Sequence, residues 1–241
     1  MGYSATMFIL IHGAYHGGWC WDAVADQLSK NGHHVQAPNL PGHGRDSGWL
    51  SDQTMPDYVD RIVKLLDAAP SKVTLVGHSM GGAIATAAAN ARPDKVERII
   101  YLTAYIPIDG ESVGDVVKTD PASHVQVDRV DVEGLGAVSL KSGTLADAFY
   151  NDATTRMLHF AEDRVQLQSP IPFRHTFELT DLTAIPKAAI ICTRDRAISP
   201  DHQRMMAVRA GCDPIVDIDS GHSPFVTQPE ALKDAILNIK S

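Results

Sequence analysis

The run Gly77-His78-Ser79-Met80-Gly81-Gly82 constrains the fold of this chain more than any other stretch. Before it, Lys72-Val73-Thr74-Leu75-Val76 alternates and is rich in β-branched residues, as a buried strand is. After it, Ala83-Ile84-Ala85-Thr86-Ala87-Ala88-Ala89 has high helix propensity. Strand, Gly-x-Ser-x-Gly, helix is the context of a nucleophile elbow. So tight a turn forces Ser79 into a strained backbone conformation and lifts its hydroxyl clear of the sheet. Side chains at 77 and 81 would collide across the turn. The helix N-terminus then offers the Met80 N–H to an oxyanion forming where Ser79 attacks.

Around the elbow, strands and helices alternate. Met7-Phe8-Ile9-Leu10-Ile11 is a continuous apolar run, expected of a central parallel strand. It ends in the glycine-rich loop His12-Gly13-Ala14-Tyr15-His16-Gly17-Gly18, at the strand end where open α/β sheets bind ligands. A helix with Trp21, Val24, Ala25 and Leu28 on one stripe closes at Asn31-Gly32, and a short strand covers 35–37. Thr54-Met55-Pro56-Asp57 starts a helix with Val59, Ile62, Val63 and Leu66 inward, ended by Pro70. Further strands are expected over 96–103, 188–192 and 214–218. Helices are expected from Ser199-Pro200 to Gly211 and around Leu232, Ala235, Ile236 and Ile239.

Between Pro107 and Pro186 this rhythm breaks. Val125-Gln126-Val127 and Ala137-Val138-Ser139-Leu140, joined through Glu133-Gly134-Leu135-Gly136, read as a small antiparallel pair, followed by helices over 144–150 and 153–167. Structureless loops of that length are uncommon. Residues 107–186 are therefore expected to form a cap inserted into a core made of 1–106 and 187–241.

A serine hydroxyl is a poor nucleophile until a base takes its proton, so Ser79 requires a histidine and an orienting acid. His222, in Asp219-Ser220-Gly221-His222-Ser223, falls after the last strand, at the sheet edge that carries the elbow. Asp195 falls after the 188–192 strand, which gives the chain order serine, acid, histidine. Arg194 and Arg196 would favour its ionised form if they approach it. Asp109 is the rival acid, with Asp219 a third choice. The second oxyanion donor is assigned to the Ala14 N–H, with Gly13 and Tyr15 as alternatives. Gly13, Tyr15, Tyr105, Phe149, Phe160 and Phe225 are the candidate pocket residues, core packing being the competing role for the aromatic ones.

Composition removes several other classes. A chain of 241 residues, 44% hydrophobic and 21% charged, is long enough for one large enclosed α/β domain. A net charge of −8 argues against nucleic acid or an anionic membrane as partner. Cys20, Cys192 and Cys212 have no metal-like spacing and cannot all pair, which points to a reducing, cytoplasmic setting. The N-terminus lacks a basic region, and its apolar run is too short for a signal or a membrane span. Gly42-x-Gly44-x-x-x-Gly48 would need a helix at once to act as a dinucleotide loop, yet Trp49-Leu50-Ser51-Asp52-Gln53 intervenes. His33-His34 are adjacent and not spaced as metal ligands. No cofactor and no metal is expected.

Taken together, the loop His12-Gly13-Ala14-Tyr15-His16-Gly17-Gly18-Trp19, the elbow, Arg194-Asp195 before Ile198-Ser199-Pro200, and Ser220-Gly221-His222 span nearly the whole chain. They resemble the α/β-hydrolases, and within them the plant methylesterase and hydroxynitrile lyase branch with its bacterial relatives. The resemblance implies an α/β-hydrolase fold: about six mostly parallel strands, helices on both faces and a small lid. It implies the triad Ser79–His222–Asp195 and hydrolysis of small carboxylic esters through an acyl enzyme, and a homodimer is common in that branch. Pro41-Gly42-His43-Gly44 departs towards the wider bacterial hydrolases, away from plant hormone esters. The lyases carry threonine or asparagine where Gly13 stands, and the threonine type has lysine where Ser223 stands. Both departures favour an esterase over a lyase. A non-catalytic small-molecule receptor on the same fold is the third reading, and turnover of a simple activated ester separates it from the enzymes.

Overall fold

The computed structural model describes residues 5–44, 52–132 and 135–239. Strand β1 (Met7–Ile11) leads through a 3₁₀ turn (Gly18–Trp21) into α1 (Asp22–Lys30), then β2 (His34–Gln36). Helix α2 (Met55–Ala68) begins with a reciprocal cap: the Asp57 N–H donates to the Thr54 hydroxyl and the Thr54 N–H donates to the Asp57 carboxylate. Strand β3 (Val73–Ser79) runs straight into α3 (Met80–Ala91), followed by β4 (Val96–Ala104).

After β4 come α4 (Val113–Lys118), β5 (Val127–Val132) and β6 (Leu135–Leu140), a π-helical turn over Leu145–Phe149, α5 (Thr155–Glu162) and a 3₁₀ turn over Pro172–Arg174. The main rhythm resumes with β7 (Lys187–Cys192), α6 (Pro200–Arg209), β8 (Ile215–Ile218), the single turn α7 (Pro224–Thr227) and α8 (Pro229–Asn238).

Six strands form one sheet in the order β2-β1-β3-β4-β7-β8, and every pairing in it is parallel. Alternation along each strand divides the interior in two. Ile9, Ile11, Leu75, Ile99, Tyr101, Ala189 and Ile191 pack against α2, α3 and α6 through Tyr58, Ile62, Ile84, Ala88 and Met206. Phe8, Leu10, Val76, Ile100, Leu102, Ala188 and Ile190 pack on the other face against Trp21, Val24, Leu28, Leu232 and Ile236. Helices on both faces explain why the strands read as unbroken apolar runs.

The segment between β4 and β7 differs from its sequence reading in detail. The antiparallel pair exists, but it runs Val127–Val132 against Leu135–Leu140 and omits Val125 and Gln126. The helix expected over 153–167 is confined to Thr155–Glu162, capped by the Thr154 hydroxyl. That over 144–150 is the five-residue π turn. The final helix is preceded by the separate turn α7. The Glu133-Gly134 turn, Met1 to Ser4, and the segment holding Arg45, Gly48 and Trp49 to Ser51 lie outside the described residues. Among the described residues, no helix is long and apolar enough to cross a membrane.

Candidate active site

Strand order brings the functional ends together. β1 and β3 are neighbours, so the loop after Ile11 lies beside the elbow, and β4 and β7 follow on the other side. Ser79 has φ 53° and ψ −124°, a positive φ that a serine holds only under constraint. A Cβ at 77 would stand 2.6 Å from the Gly81 carbonyl oxygen, and one at 81 would stand 2.5 Å from that of Ile11. No side chain fits there. The Tyr105 N–H donates to the Ser79 carbonyl at 3.1 Å and ties the elbow to the end of β4.

His222 follows β8 and Asp195 follows β7. His222 Nδ1 lies 2.7 Å from Asp195 Oδ2, and both side chains are fully buried. An ionised carboxylate only accepts, so the imidazole proton sits on Nδ1 and Nε2 is the acceptor. Nε2 is buried and has no partner among the described residues. Ser79 and His222 line one cavity of about 890 Å³, together with Ala14, Tyr15, Met80, Tyr105 and Phe149.

Asp195 is held from four directions. Oδ1 accepts from the Ala197 and Ile198 N–H groups at 2.6 and 3.0 Å. Oδ2 accepts from Gln203 Nε2 at 3.1 Å and from the Thr103 hydroxyl. The condition set on the two flanking arginines is not met, since both pair elsewhere. Arg194 pairs with Asp219 at 2.7 Å and Arg196 with Asp147 at 2.7 Å, because side chains next to an inward carboxylate point outward from the turn. Asp109, the rival acid, accepts from the Leu179 N–H at the surface, and Asp219 is spent on Arg194.

The N–H of Tyr15 is engaged by Gln168 Oε1 at 3.3 Å, which removes it as an oxyanion donor. The Ala14 N–H has no acceptor among the described residues, and Met80 is the first residue of α3, so its N–H has no intrahelical acceptor. Gly13 does not line the cavity. It backs Ser79: a Cβ there would lie 2.8 Å from the Ser79 Cβ and 3.0 Å from His78 Nδ1. Phe149 stands edge-on to His222, ring centroids 5.1 Å apart.

Two expected pocket aromatics lie elsewhere. Phe160, on α5, is 36% exposed, edge-on to Trp19 with Arg164 4.0 Å over its ring. Phe225 is fully buried in the layer under the sheet, against Trp21 and beneath His78. An aromatic residue near a site in sequence does not say which way it faces.

Four histidines surround this centre and are buried: His12, His16, His43 and His78. His78 Nε2 donates to the His222 carbonyl at 2.9 Å. Burial, and then the neighbouring His222 imidazole, hold His78 well below the ordinary histidine range; burial and then His43 do the same to His12. Burial lowers His16 to about 4 and also lowers His43. All four are neutral at pH 7.

Four positioning residues had no sequence signal. Thr103 at the end of β4 is indistinguishable from a strand residue, although it takes φ 36°. Gln203 lies on an unremarkable helix. Asn151 and Asp152 clip the loops that carry Asp195 and His222: Asn151 Nδ2 donates to the Arg194 carbonyl at 2.9 Å, and Asp152 Oδ2 accepts from the Gly221 N–H at 2.9 Å and the Thr227 hydroxyl at 3.1 Å.

A family model described as the alpha/beta hydrolase family matches residues 8–235. A pyrethroid hydrolase of Sphingobium wenxiniae is 33% identical over 97% of this chain and 87% of its own length. Methylesterase 9 of Arabidopsis thaliana is 28% identical over 96% and 97%. The crystal structure of a pyrethroid hydrolase from Sphingobium faniae superposes with a TM-score of 0.83 at 30% identity, covering 98% and 97%. Polyneuridine aldehyde esterase superposes at 0.86 and 22% identity over 99% of this chain and all of its own, a likeness of fold.

Proposed function

The chain belongs to the alpha/beta hydrolase family and cleaves small carboxylic esters, and on that premise we propose that Ser79 is its nucleophile, with His222 as base and Asp195 as orienter. The observation that carries the assignment is the strained Ser79 at the floor of a cavity shared with His222, whose Nδ1 is fixed by Asp195 and whose Nε2 is free.

In this reading, Ser79 Oγ attacks the ester carbonyl while His222 Nε2 takes its proton. The tetrahedral oxyanion is received by the N–H groups of Ala14 and Met80. His222 returns the proton to the leaving alcohol, which departs and leaves an acyl-Ser79. Water, deprotonated by the same imidazole, then releases the acid and restores the serine. Asp195 holds the imidazole in the Nδ1–H form throughout. Residues 107–186 serve as a cap whose inner wall sets which esters fit, a role supported by the cavity lining from α4, the β5–β6 pair and the π turn. The three buried, free cysteines support a cytoplasmic setting.

Ser79→Ala should lower kcat by roughly 10⁴-fold or more with the fold intact. A serine-directed covalent inhibitor should add its mass to the peptide carrying Ser79. Mass on another residue, or full turnover by the alanine variant, would overturn the assignment.

A further inference from the structure

The buried tyrosines divide by whether the protein satisfies their hydroxyls. Tyr58 accepts from Gln168 at 3.2 Å, Tyr101 shares a hydrogen bond with Thr86 at 2.8 Å, and Tyr150 meets His16 Nε2 at 2.9 Å. Tyr15 and Tyr105 are only 5% and 7% exposed, yet neither hydroxyl has a partner among the described residues. They are also the only two of these five that line the cavity holding Ser79. Other buried polar side chains on that wall are already engaged: Ser112 donates to Asp115 at 2.6 Å, and Asp120 accepts from the Ser199 hydroxyl at 2.8 Å.

Neither hydroxyl oxygen is among the fully buried atoms that lack a partner, so both open onto the cavity, where an atom of a bound molecule can meet them. Both residues are held at the backbone. Tyr15 takes φ 65°, costly for an aromatic residue, and is clamped there by Gln168 at its N–H and by the Gln166 N–H at its carbonyl, 2.9 Å. Tyr105 is tied through its N–H to the Ser79 carbonyl. Burial raises both phenols, and Asp195, Asp120 and Tyr15 raise Tyr105 further, so both remain protonated and able to donate. The remaining wall is mixed: Val117, Val125, Val138, Phe149 and Phe173 supply its apolar part, and the exposed side chains of Lys118, Arg129 and Arg174 line it too.

We propose that the hydroxyls of Tyr15 and Tyr105 are specificity-determining donors for an oxygen acceptor beyond the ester group, so that the preferred substrate is an oxygenated ester and not a plain hydrocarbon one. The acceptor is a ketone, ether or hydroxyl oxygen on the acyl or alcohol part, and the apolar part of the wall takes the hydrocarbon remainder. This rests on the esterase reading above. A phenol left unpaired by a hydrocarbon substrate forfeits a hydrogen bond, which disfavours that substrate.

The test scans methyl esters of a medium-length acid, replacing one chain methylene at a time by an ether oxygen or a carbonyl. Acid release gives kcat/KM for the wild type, Tyr15→Phe, Tyr105→Phe and the double variant. Comparing the oxygenated-to-plain ratio between proteins cancels the intrinsic reactivity of each ester. At one chain position or more, the wild-type ratio should exceed that of the double variant by about tenfold or more. The same ratio in all four proteins at every position would overturn the proposal. If the wild type hydrolyses none of these esters, the esterase reading fails separately. The ratio is then read as Kd by calorimetry, where equal values in wild type and double variant overturn the pairing and unequal values sustain it.

Discussion

Ser79 and Thr103 hold positive φ on neighbouring strand ends. The Thr103 hydroxyl donates to the oxygen of Asp195 that binds His222, so it fixes the carboxylate without touching substrate. Thr103→Val, which keeps the shape and removes the hydroxyl, should lower kcat about tenfold with little change in KM, and Thr103→Ser should restore it. Steady-state kinetics on the three proteins checks this. Asp195→Asn should lower kcat by roughly 10⁴-fold while Asp109→Asn leaves it near wild type, since Asp109 is spent on the Leu179 N–H. At this scale the sequence was informative where chemistry demands a type at a turn: Ser79, Asp195 and His222 each follow a strand and precede a helix. It was silent on Thr103, whose role depends on a strand pairing and not on its neighbours. It misplaced Phe160 and Phe225, because near a site an aromatic on the inner and on the outer face of an element look the same in one dimension.

Among the elements, the loop after β1 and the β4–β7 segment shape the cavity. Gly13→Asn should lower kcat/KM by roughly tenfold or more, because its Cβ would press on the Ser79 Cβ and on His78 Nδ1. A p-nitrophenyl acetate assay beside a thermal melt separates crowding from unfolding. Phe149→Ala, which opens the wall facing His222, should move preference towards bulkier acyl groups in a chain-length series. The central strands were legible because both faces are covered and their sequences are rich in apolar and β-branched residues. The β4–β7 segment was legible only as a break in rhythm. Its π turn has no periodicity of its own, and α5 stops after eight residues, at Glu162, where the helical pattern of the sequence continues.

For the molecule as a whole, the buried histidines set a limit on acid tolerance. An unfolded histidine takes a proton as pH falls below about 6.5, whereas His16 in the fold resists until about 4. Between those values the unfolded state binds the extra proton, so stability is lost as pH falls and is unaffected above the window. His16 alone costs about 1.4 kcal/mol for each pH unit within it. His12, His43 and His78 act in the same direction. Urea unfolding at pH 7.5, 6.5, 5.5 and 4.5 should give a flat free energy over the first two points and a steep fall over the last two. A flat profile to pH 4.5 would mean that these imidazoles are protonated in the fold. The alternation of strands and helices was legible in the sequence, but this titration follows from burial that only the assembled loops create.

The stretch from Tyr105 to Pro186 leaves and re-enters the sheet between two strands that are hydrogen-bonded neighbours, β4 and β7. Its ends are therefore held close whatever lies between them, and closing a longer or shorter excursion changes the free energy only slowly with length. That makes the excursion an exchangeable cassette: diversity in accepted esters can accumulate there while the strand ends that bear Ser79, Asp195 and His222 stay as they are. Any replacement must also reproduce the grips that this segment lays on the core: Asn151 and Asp152 on the Arg194 carbonyl and the Gly221 amide, and Gln166 and Gln168 on the backbone of Tyr15.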